Sequence, residues 1–245
     1  MRTHLYCLLP AASRDALPEA TSGIDGAPVR SLVFGEIVAW VSDVVDRSST
    51  PISSVRAHDA VIAAALSTGS TPLPARFGQR FPDDEACRSA LGKRYPALAT
   101  AVDAIQGFVE MTLLLTLAAP REEDLQPLPP AGAELGTGRR YLEMLRARED
   151  TARKFSENLD HLSDGLVAAV RGFIRQSSVQ DGVKRPFRTI SHLIEREDVA
   201  AYTEAARAAQ MPAECRMLVI GPRAPYTFTT SADLVHELRQ VDRHE

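Results

Sequence analysis

Residues 118–138 constrain this chain more than any other stretch. Pro120, Pro127, Pro129 and Pro130 fall there together with Gly132, Gly136 and Gly138. Proline fixes φ and removes an amide donor, and glycine resists ordering, so a segment rich in both interrupts regular structure. It divides the 245 residues into two pieces of ordinary domain size, roughly 100–200 residues each. The spacing predicts a first domain over 1–118, a Pro/Gly-rich linker over 119–138 and a second domain over 139–245.

The first piece reads as an alternation of strands and helices. Thr3–Leu9, Val29–Phe34 and Glu36–Ser42 are enriched in Val, Ile, Phe and Trp and predict three strands, the last two turning near Gly35. A helix follows, with Ser53 or Ser54 as its expected cap and Val55, Ile62, Ala65 and Leu66 on one face, stopping at Gly69. Thr71–Phe77 carries two prolines and is expected as an edge strand or extended segment. Pro82-Asp83-Asp84-Glu85 opens a helix, Pro96 opens another that ends at Gly107, and Phe108–Leu117 is a strand.

In the second piece, apolar residues from Leu142 to Phe173 recur at helical spacing, which predicts a long helix from Arg139 to about Gln176. Phe187–Glu195 then reads as a strand, Asp198–Ala209 as a helix and Arg216–Ile220 as a strand. Tyr226–Thr229 is expected as a short strand and Ala232–Val241 as a terminal helix. Both pieces predict α+β sandwiches, with helices on one face of a mainly antiparallel sheet.

Charge and side-chain chemistry narrow the function. There are 28 Lys and Arg against 32 Asp and Glu, a net charge of −4, which disfavours a nucleic-acid binder working through a strong basic field. Cys7, Cys87 and Cys215 form no C-x-x-C, and the six histidines form no metal-ligand pair, so no metal or cofactor is expected. No nucleophile elbow occurs, and Gly136-Thr-Gly138 lacks the third glycine of a dinucleotide fingerprint. The apolar run after Thr3 is too short for a signal core, and Met111–Ala119 is too short to span a bilayer. The expectation is a soluble cytoplasmic protein without catalytic residues.

Two segments stand out. In Pro72-Leu73-Pro74-Ala75-Arg76-Phe77-Gly78 a charged Arg sits between apolar neighbours. Its bland reading is an Arg paired with a local carboxylate. In Gly221-Pro222-Arg223-Ala224-Pro225-Tyr226-Thr227-Phe228, prolines fix the backbone and aromatic rings supply contact area. Its bland reading is a rigid turn.

These segments carry a family resemblance. Leu73-Pro74-Ala75-Arg76-Phe77-Gly78, after the helix that bears His58, resembles the P-L-R-F-G signature of the gas vesicle protein GvpL/GvpF family. Gly221-Pro222-x-x-Pro225-Tyr226-x-Phe228 resembles its G-P-W-P-P-Y-S-F signature. Gly138-Arg139-Arg140-Tyr141-Leu142 resembles its G-x-x-Y-L element, and Tyr6 and Gly107–Glu110 are similar too. Arg223-Ala224 departs from the usual Trp-Pro, and Met111-Thr112-Leu113-Leu114 is more apolar than the usual charged strand.

The resemblance implies two α+β domains, the first a modified ferredoxin-like sandwich, and an accessory or minor structural role in gas vesicles. Such a protein is expected to bind the shell protein GvpA, other accessory proteins or both during nucleation and assembly, and to limit aggregation, in the cytoplasm and at the vesicle. Arg76, Phe77, Gly78, Pro225, Tyr226 and Phe228 become candidate partner-binding residues. His58, Pro74, Gly138, Tyr141, Leu142, Gly221 and Pro222 become structural motif positions. Candidate docking surfaces are Thr71–Phe77 and the apolar strand Phe108–Leu117. The alternative is a ferredoxin-like ligand-binding protein or enzyme of unknown substrate.

Overall fold

The structure, a computed structural model, describes residues 1–45, 51–117, 146, 157, 159–182, 187–212 and 215–229. They group into two compact units. One comprises Met1–Met111, Leu193–Glu197 and the chain from Gly221 onward; the other comprises Thr112–His192 and Asp198–Ile220. The architecture is α+β. The expected linker 119–138, the motif residues Gly138, Tyr141 and Leu142 and the expected terminal helix Ala232–Val241 lie outside the described residues.

In the first unit, strand β1 (Arg2–Pro10) is buried from Thr3 to Leu9. Strands β2 (Arg30–Phe34) and β3 (Ile37–Val44) form an antiparallel hairpin with Phe34 opposite Ile37. β3 pairs antiparallel with β1. Two short strands, β4 (Leu73–Pro74) and β5 (Arg80–Phe81), also pair antiparallel with β1, giving the order β2-β3-β1-β4. Pro74 thus sits at the sheet edge, where a missing amide donor costs least.

The β1–β3 register slips between Leu5 and Cys7, leaving Tyr6 as the extra residue of a β-bulge. The bulge resets side-chain parity. Leu5 and Leu8 point into one core cluster, while Tyr6, Cys7 and Leu9 point into another. Helix α1 (Ile52–Ser67) packs on the Tyr6 side through Val61, Ile62 and Ala65. Helices α2 (Asp84–Gly92) and α3 (Tyr95–Ala104) pack on the Leu5 side through Leu91, Leu98 and Val102. Helices therefore cover both faces of this sheet, which corrects the expectation of one covered face. The reason lies in β1 and β3, which are apolar on both sides and need cover on both.

Local signals account for most boundaries. Asp83 caps α2 by accepting from the Ala86 amide at 2.8 Å, and Pro96 lies in the first turn of α3. The serine cap expected for α1 is absent: the helix starts after Pro51 without a side-chain cap, and Ser54 is buried inside it. Its other end is held from far along the chain. The Arg196 guanidinium donates to the Leu66 carbonyl at 3.0 Å, the Ser70 carbonyl at 3.2 Å and Thr71 Oγ1 at 3.3 Å. A cation there satisfies orphan carbonyls at the negative end of the helix. The Arg196 amide also donates to the Gly107 carbonyl at 2.8 Å.

The second sheet has the order β7-β8-β6-β9, from β6 (Phe108–Leu117), β7 (Ile174–Asp181), β8 (Phe187–Glu195) and β9 (Cys215–Arg223). With it go α4, described over residues 159–170, and α5 (Val199–Ala208). The long helix ends earlier than expected. After Val170 come a 3-10 turn, Arg171–Phe173, and then β7 in place of helix to Gln176. β7 is mostly exposed and polar, so it lacks the apolar alternation that marks a strand. In the second unit Arg188 ties three elements together. Its buried guanidinium donates to Asp181 Oδ1 at 2.6 Å and Oδ2 at 3.0 Å, and to Asp160 Oδ1 at 2.6 Å. That fork joins β8 to β7 and α4 and holds the Asp181 carboxyl below its usual range.

Candidate binding surface

The Leu73–Gly78 segment is pinned to β1 by backbone bonds before any side chain acts. The Ala75 amide donates to the Tyr6 carbonyl at 2.8 Å, and the Leu5 amide donates to the Gln79 carbonyl at 3.0 Å. Between these anchors the chain arches outward. The Gln79 amide donates to the Arg76 carbonyl at 3.2 Å, and Gly78 takes a φ of 85°. This arch exposes the Arg76 side chain, which makes no ion pair or hydrogen bond among the described residues. The expected local carboxylate partner is therefore absent from that set.

Phe77 turns the other way, half-buried, onto two histidines. Its ring centroid lies 5.4 Å from that of His58 and 5.8 Å from that of His4. His4 and His58 are themselves buried and joined, His4 Nε2 to His58 Nδ1 at 2.9 Å. The carbonyl of Ala75 lies 3.1 Å from His58 Nε2. A carbonyl only accepts, so His58 Nε2 carries the proton, its Nδ1 accepts, and His4 Nε2 donates. His4 Nδ1 is then a bare lone pair, buried without a partner. Burial, the neighbouring His58 and Arg80 push the His4 pKa down to about 3, and burial also lowers that of His58. The pair is neutral, and it fastens α1, β1 and the loop through one chain of donors.

The Gly221–Phe228 segment is seated with equal definition. Gly221 takes a φ of 131°, and a Cβ there would sit 2.7 Å from Met111 Sδ and 2.8 Å from the Glu110 carbonyl oxygen. Only glycine fits that approach. The Gly221–Pro222 bond is cis, and both residues are exposed. Ala224 and Pro225 are buried, the former in the α1-side core. Tyr226–Phe228 is a turn, not the expected strand, because the Phe228 and Thr229 amides both donate to the Pro225 carbonyl. The buried Glu110 carboxylate holds that turn. It accepts from the Thr227 amide at 2.8 Å and the Thr227 hydroxyl at 2.9 Å.

Tyr226 is half-buried against the α1-side core and donates to Asp59 Oδ1 at 3.3 Å. Burial first, then the Asp59 charge, pushes its phenol up. Phe77 and Tyr226 thus lean on one helix through adjacent residues, the buried His58 and the exposed Asp59. Phe228 is half-buried in the turn. The sequence reading missed His4 and Asp59. A histidine inside an otherwise apolar buried strand was the available signal for the first; an exposed helical Asp gives none.

One candidate surface is corrected. β6 (Phe108–Leu117) lies between β8 and β9, with Val109, Met111, Leu113 and Leu115 buried, so it is an interior strand and not a docking edge. Among the described residues no group of three or more His, Cys, Asp or Glu could hold a metal ion. No helix among them is long and apolar enough to cross a membrane.

Known proteins share this plan. The chain superposes on the crystal structure of the gas vesicle protein GvpF from Anabaena sp. PCC7120 with a TM-score of 0.74, at 18% identity, covering 94% of this chain and 96% of that one. GvpF from Microcystis aeruginosa gives a TM-score of 0.70 at 17% identity, covering 94% and 99%. In sequence, gas vesicle protein L of Streptomyces sp. (strain CB03234) is 28% identical over 253 residues, 93% of either chain. Gas vesicle protein F of the same strain is 27% identical over 241 residues, 93% of this chain and 99% of that one. The family model for gas vesicle synthesis protein GvpL/GvpF matches residues 2–230, both candidate segments included. With sequence match, fold and pinned motif loops in agreement along nearly its whole length, the chain belongs to the GvpL/GvpF family of gas vesicle proteins.

Proposed function

We propose that this family member, whose role is tied to gas vesicles, is a non-catalytic accessory or minor structural protein of the cytoplasm and the vesicle. It binds the shell protein GvpA, other accessory proteins or both during nucleation and assembly, and limits their aggregation. The observation that carries the reading is the α1-centred surface, where two family segments are pinned beside each other's helix neighbours while Arg76 is presented outward. Shell subunits expose apolar faces before assembly, and a rigid rim of aromatic and cationic side chains is suited to cover them. Non-catalytic action is supported by His4 and His58, which are spent on holding the loop, and by burial that pushes the Cys87 thiol up to about 12.

The first unit is read as a modified ferredoxin-like sheet. The order β2-β3-β1-β4 with antiparallel pairing supports this. The modification is the first connection, residues 11–29, which carries two 3-10 turns, Ala11–Ser13 and Ile24–Gly26, in place of a crossover helix.

Co-expression with GvpA followed by pull-down tests the reading. Wild type is expected to retain and solubilise GvpA, and folded Arg76→Ala and Tyr226→Ala variants to retain several-fold less. Equal retention by both variants removes this surface from the binding role. No retention by wild type, with GvpA competent to assemble, moves the direct contact to another accessory protein.

A further inference from the structure

In the second sheet, of order β7-β8-β6-β9, the edge strands are β7 and β9. An exposed edge offers a row of unpaired amides and carbonyls, and folded chains ordinarily blunt it with proline, like charges or a very short strand. β9 carries Pro222 and two cations, Arg216 and Arg223. At the edges of the first sheet, β2 is five residues long and β4 two. β7 has none of these guards. Its eight residues, Ile174-Arg175-Gln176-Ser177-Ser178-Val179-Gln180-Asp181, include no proline and carry one cation and one anion. Arg175, Gln176, Ser177, Val179, Gln180 and Asp181 are exposed, Val179 by 53%.

The hairpin fixes which backbone groups point outward. The connection from Asp181 to Phe187 is too short for the crossover of a parallel pair, so β7 and β8 run antiparallel. The Gly182 amide donates to the Phe187 carbonyl at 2.9 Å, which sets 182 opposite 187 and 181 opposite 188. The Arg188–Asp181 fork agrees with that register. Bonded and non-bonded pairs alternate along an antiparallel ladder. Even-numbered residues of β7 therefore bond to β8, and the amides and carbonyls of Arg175, Ser177, Val179 and Asp181 point away from it. None of these groups bonds to another element among the described residues, and the Arg175 side chain has no ion pair or hydrogen bond among them.

We propose that β7 pairs antiparallel with β7 of a second copy of this chain, across a two-fold axis at Ser178, joining two sheets into one. In this register the strand complements itself. Arg175 lies opposite the partner's Asp181, Ser177 lies opposite the partner's Val179, and the two copies of Ser178 face each other. Every outward-pointing amide and carbonyl finds a partner, and a cation meets an anion at both ends. Centring the pair on Ser177 or Val179 instead loses both charge matches. The Asp181 side chain is 59% exposed beside Arg188, so its carboxylate keeps lone pairs for a second guanidinium. A single strand pair falls short of the roughly 1,200–2,000 Å² buried in stable complexes, so the dimer is weak and forms as concentration rises. The proposal does not depend on the role of the α1-centred surface.

Sedimentation velocity of the full-length protein from about 1 to about 200 µM should show a monomer passing to a dimer. Arg175→Glu, which faces the partner's Asp181 with a like charge, should raise the dissociation constant at least about ten-fold, and Arg175→Lys should keep most of the association. Ser178→Cys reads the register: opposite residues of a non-hydrogen-bonded pair lie about 4.5 Å apart at Cα, within disulfide reach. That variant should oxidise to a covalent dimer many-fold faster than Ser177→Cys, whose two copies lie diagonally, beyond about 7 Å. The native Cys7, Cys87 and Cys215 are buried and contribute little background. A monomer at every concentration would overturn the proposal and leave this edge to a strand of another protein. Equal cross-linking of the two cysteine variants, or association of Arg175→Glu as strong as wild type, would overturn it as well.

Discussion

Lowering the pH from 7.5 to 5.0 should cost the first unit about 2 kcal/mol through His4 alone. His4 has a folded-state value of about 3 against an ordinary 6.5. The unfolded chain therefore takes up the proton first, and stability falls as the pH drops below 6.5 and goes on falling toward 3. At pH 5.0 the unfolded histidine is favoured by its protonation by roughly thirty-fold, and the folded one gains almost nothing, which gives the figure above. Burial does most to keep the pair uncharged, and His58 and Arg80 also oppose a cation at His4; the Asp59 charge acts the other way on His58, where burial outweighs it.

Trp40 is the single tryptophan and is fully buried in the α1-side core, so its fluorescence reports this unit. Urea unfolding of wild type and His4→Gln at both pH values isolates the contribution. The glutamine keeps a donor for His58, and the comparison of the two proteins cancels the titration of groups they share. The variant should lose about 2 kcal/mol less than wild type between the two conditions. An equal loss in both proteins, or a His4 ring proton that titrates near 6.5 in the folded state, would refute the neutral-pair reasoning.

Arg188→Ala should destabilise the second unit by about 2 kcal/mol, toward the low end for a buried Arg because Asp160 and Asp181 are each 59% exposed at the side chain and can rehydrate. Arg188→Lys should recover only part, since an ammonium cannot form the two-pronged contact with Asp181; thermal unfolding ranks the three proteins. Gly221→Ala should cost more than about 2 kcal/mol, because the added carbon collides with the Glu110 carbonyl oxygen and Met111 and the φ is disfavoured. A melting temperature within about 1 °C of wild type would show that this close approach is not tight.

Much of the fold was legible where residues carry local instructions. Phe108–Leu117 and Phe187–Glu195 coincide with β6 and β8, and the Asp83 and Pro96 signals mark α2 and α3. Failures arose where the deciding partner is distant or the pattern is flat. β7 is polar along most of its length, and an apolar period running on to Phe173 hid it behind a helix. The two covered faces of the first sheet were readable in principle, since β1 and β3 lack polar alternation. The register slip at Tyr6 was not, because nothing in Leu5-Tyr6-Cys7 differs from a regular strand. In the candidate surface, the arch of Arg76 follows from Pro74 and Gly78. The His4–His58 bond joins positions 54 apart and becomes visible only once the strand meets the helix.

Arg196 and Thr227 bear on how the chain is made. On the ribosome, β1 through α3 emerge long before either residue. Until then the Leu66, Ser70 and Gly107 carbonyls and the Glu110 carboxylate face water in place of their final donors. The N-terminal unit is therefore closed by residues that follow β1 through α3 by roughly ninety positions or more, and nascent chains stalled before Arg196 carry it without these donors. A translation product ending near residue 118 would keep Glu110 but lack Arg196 and Thr227, the two residues that clamp and latch this unit.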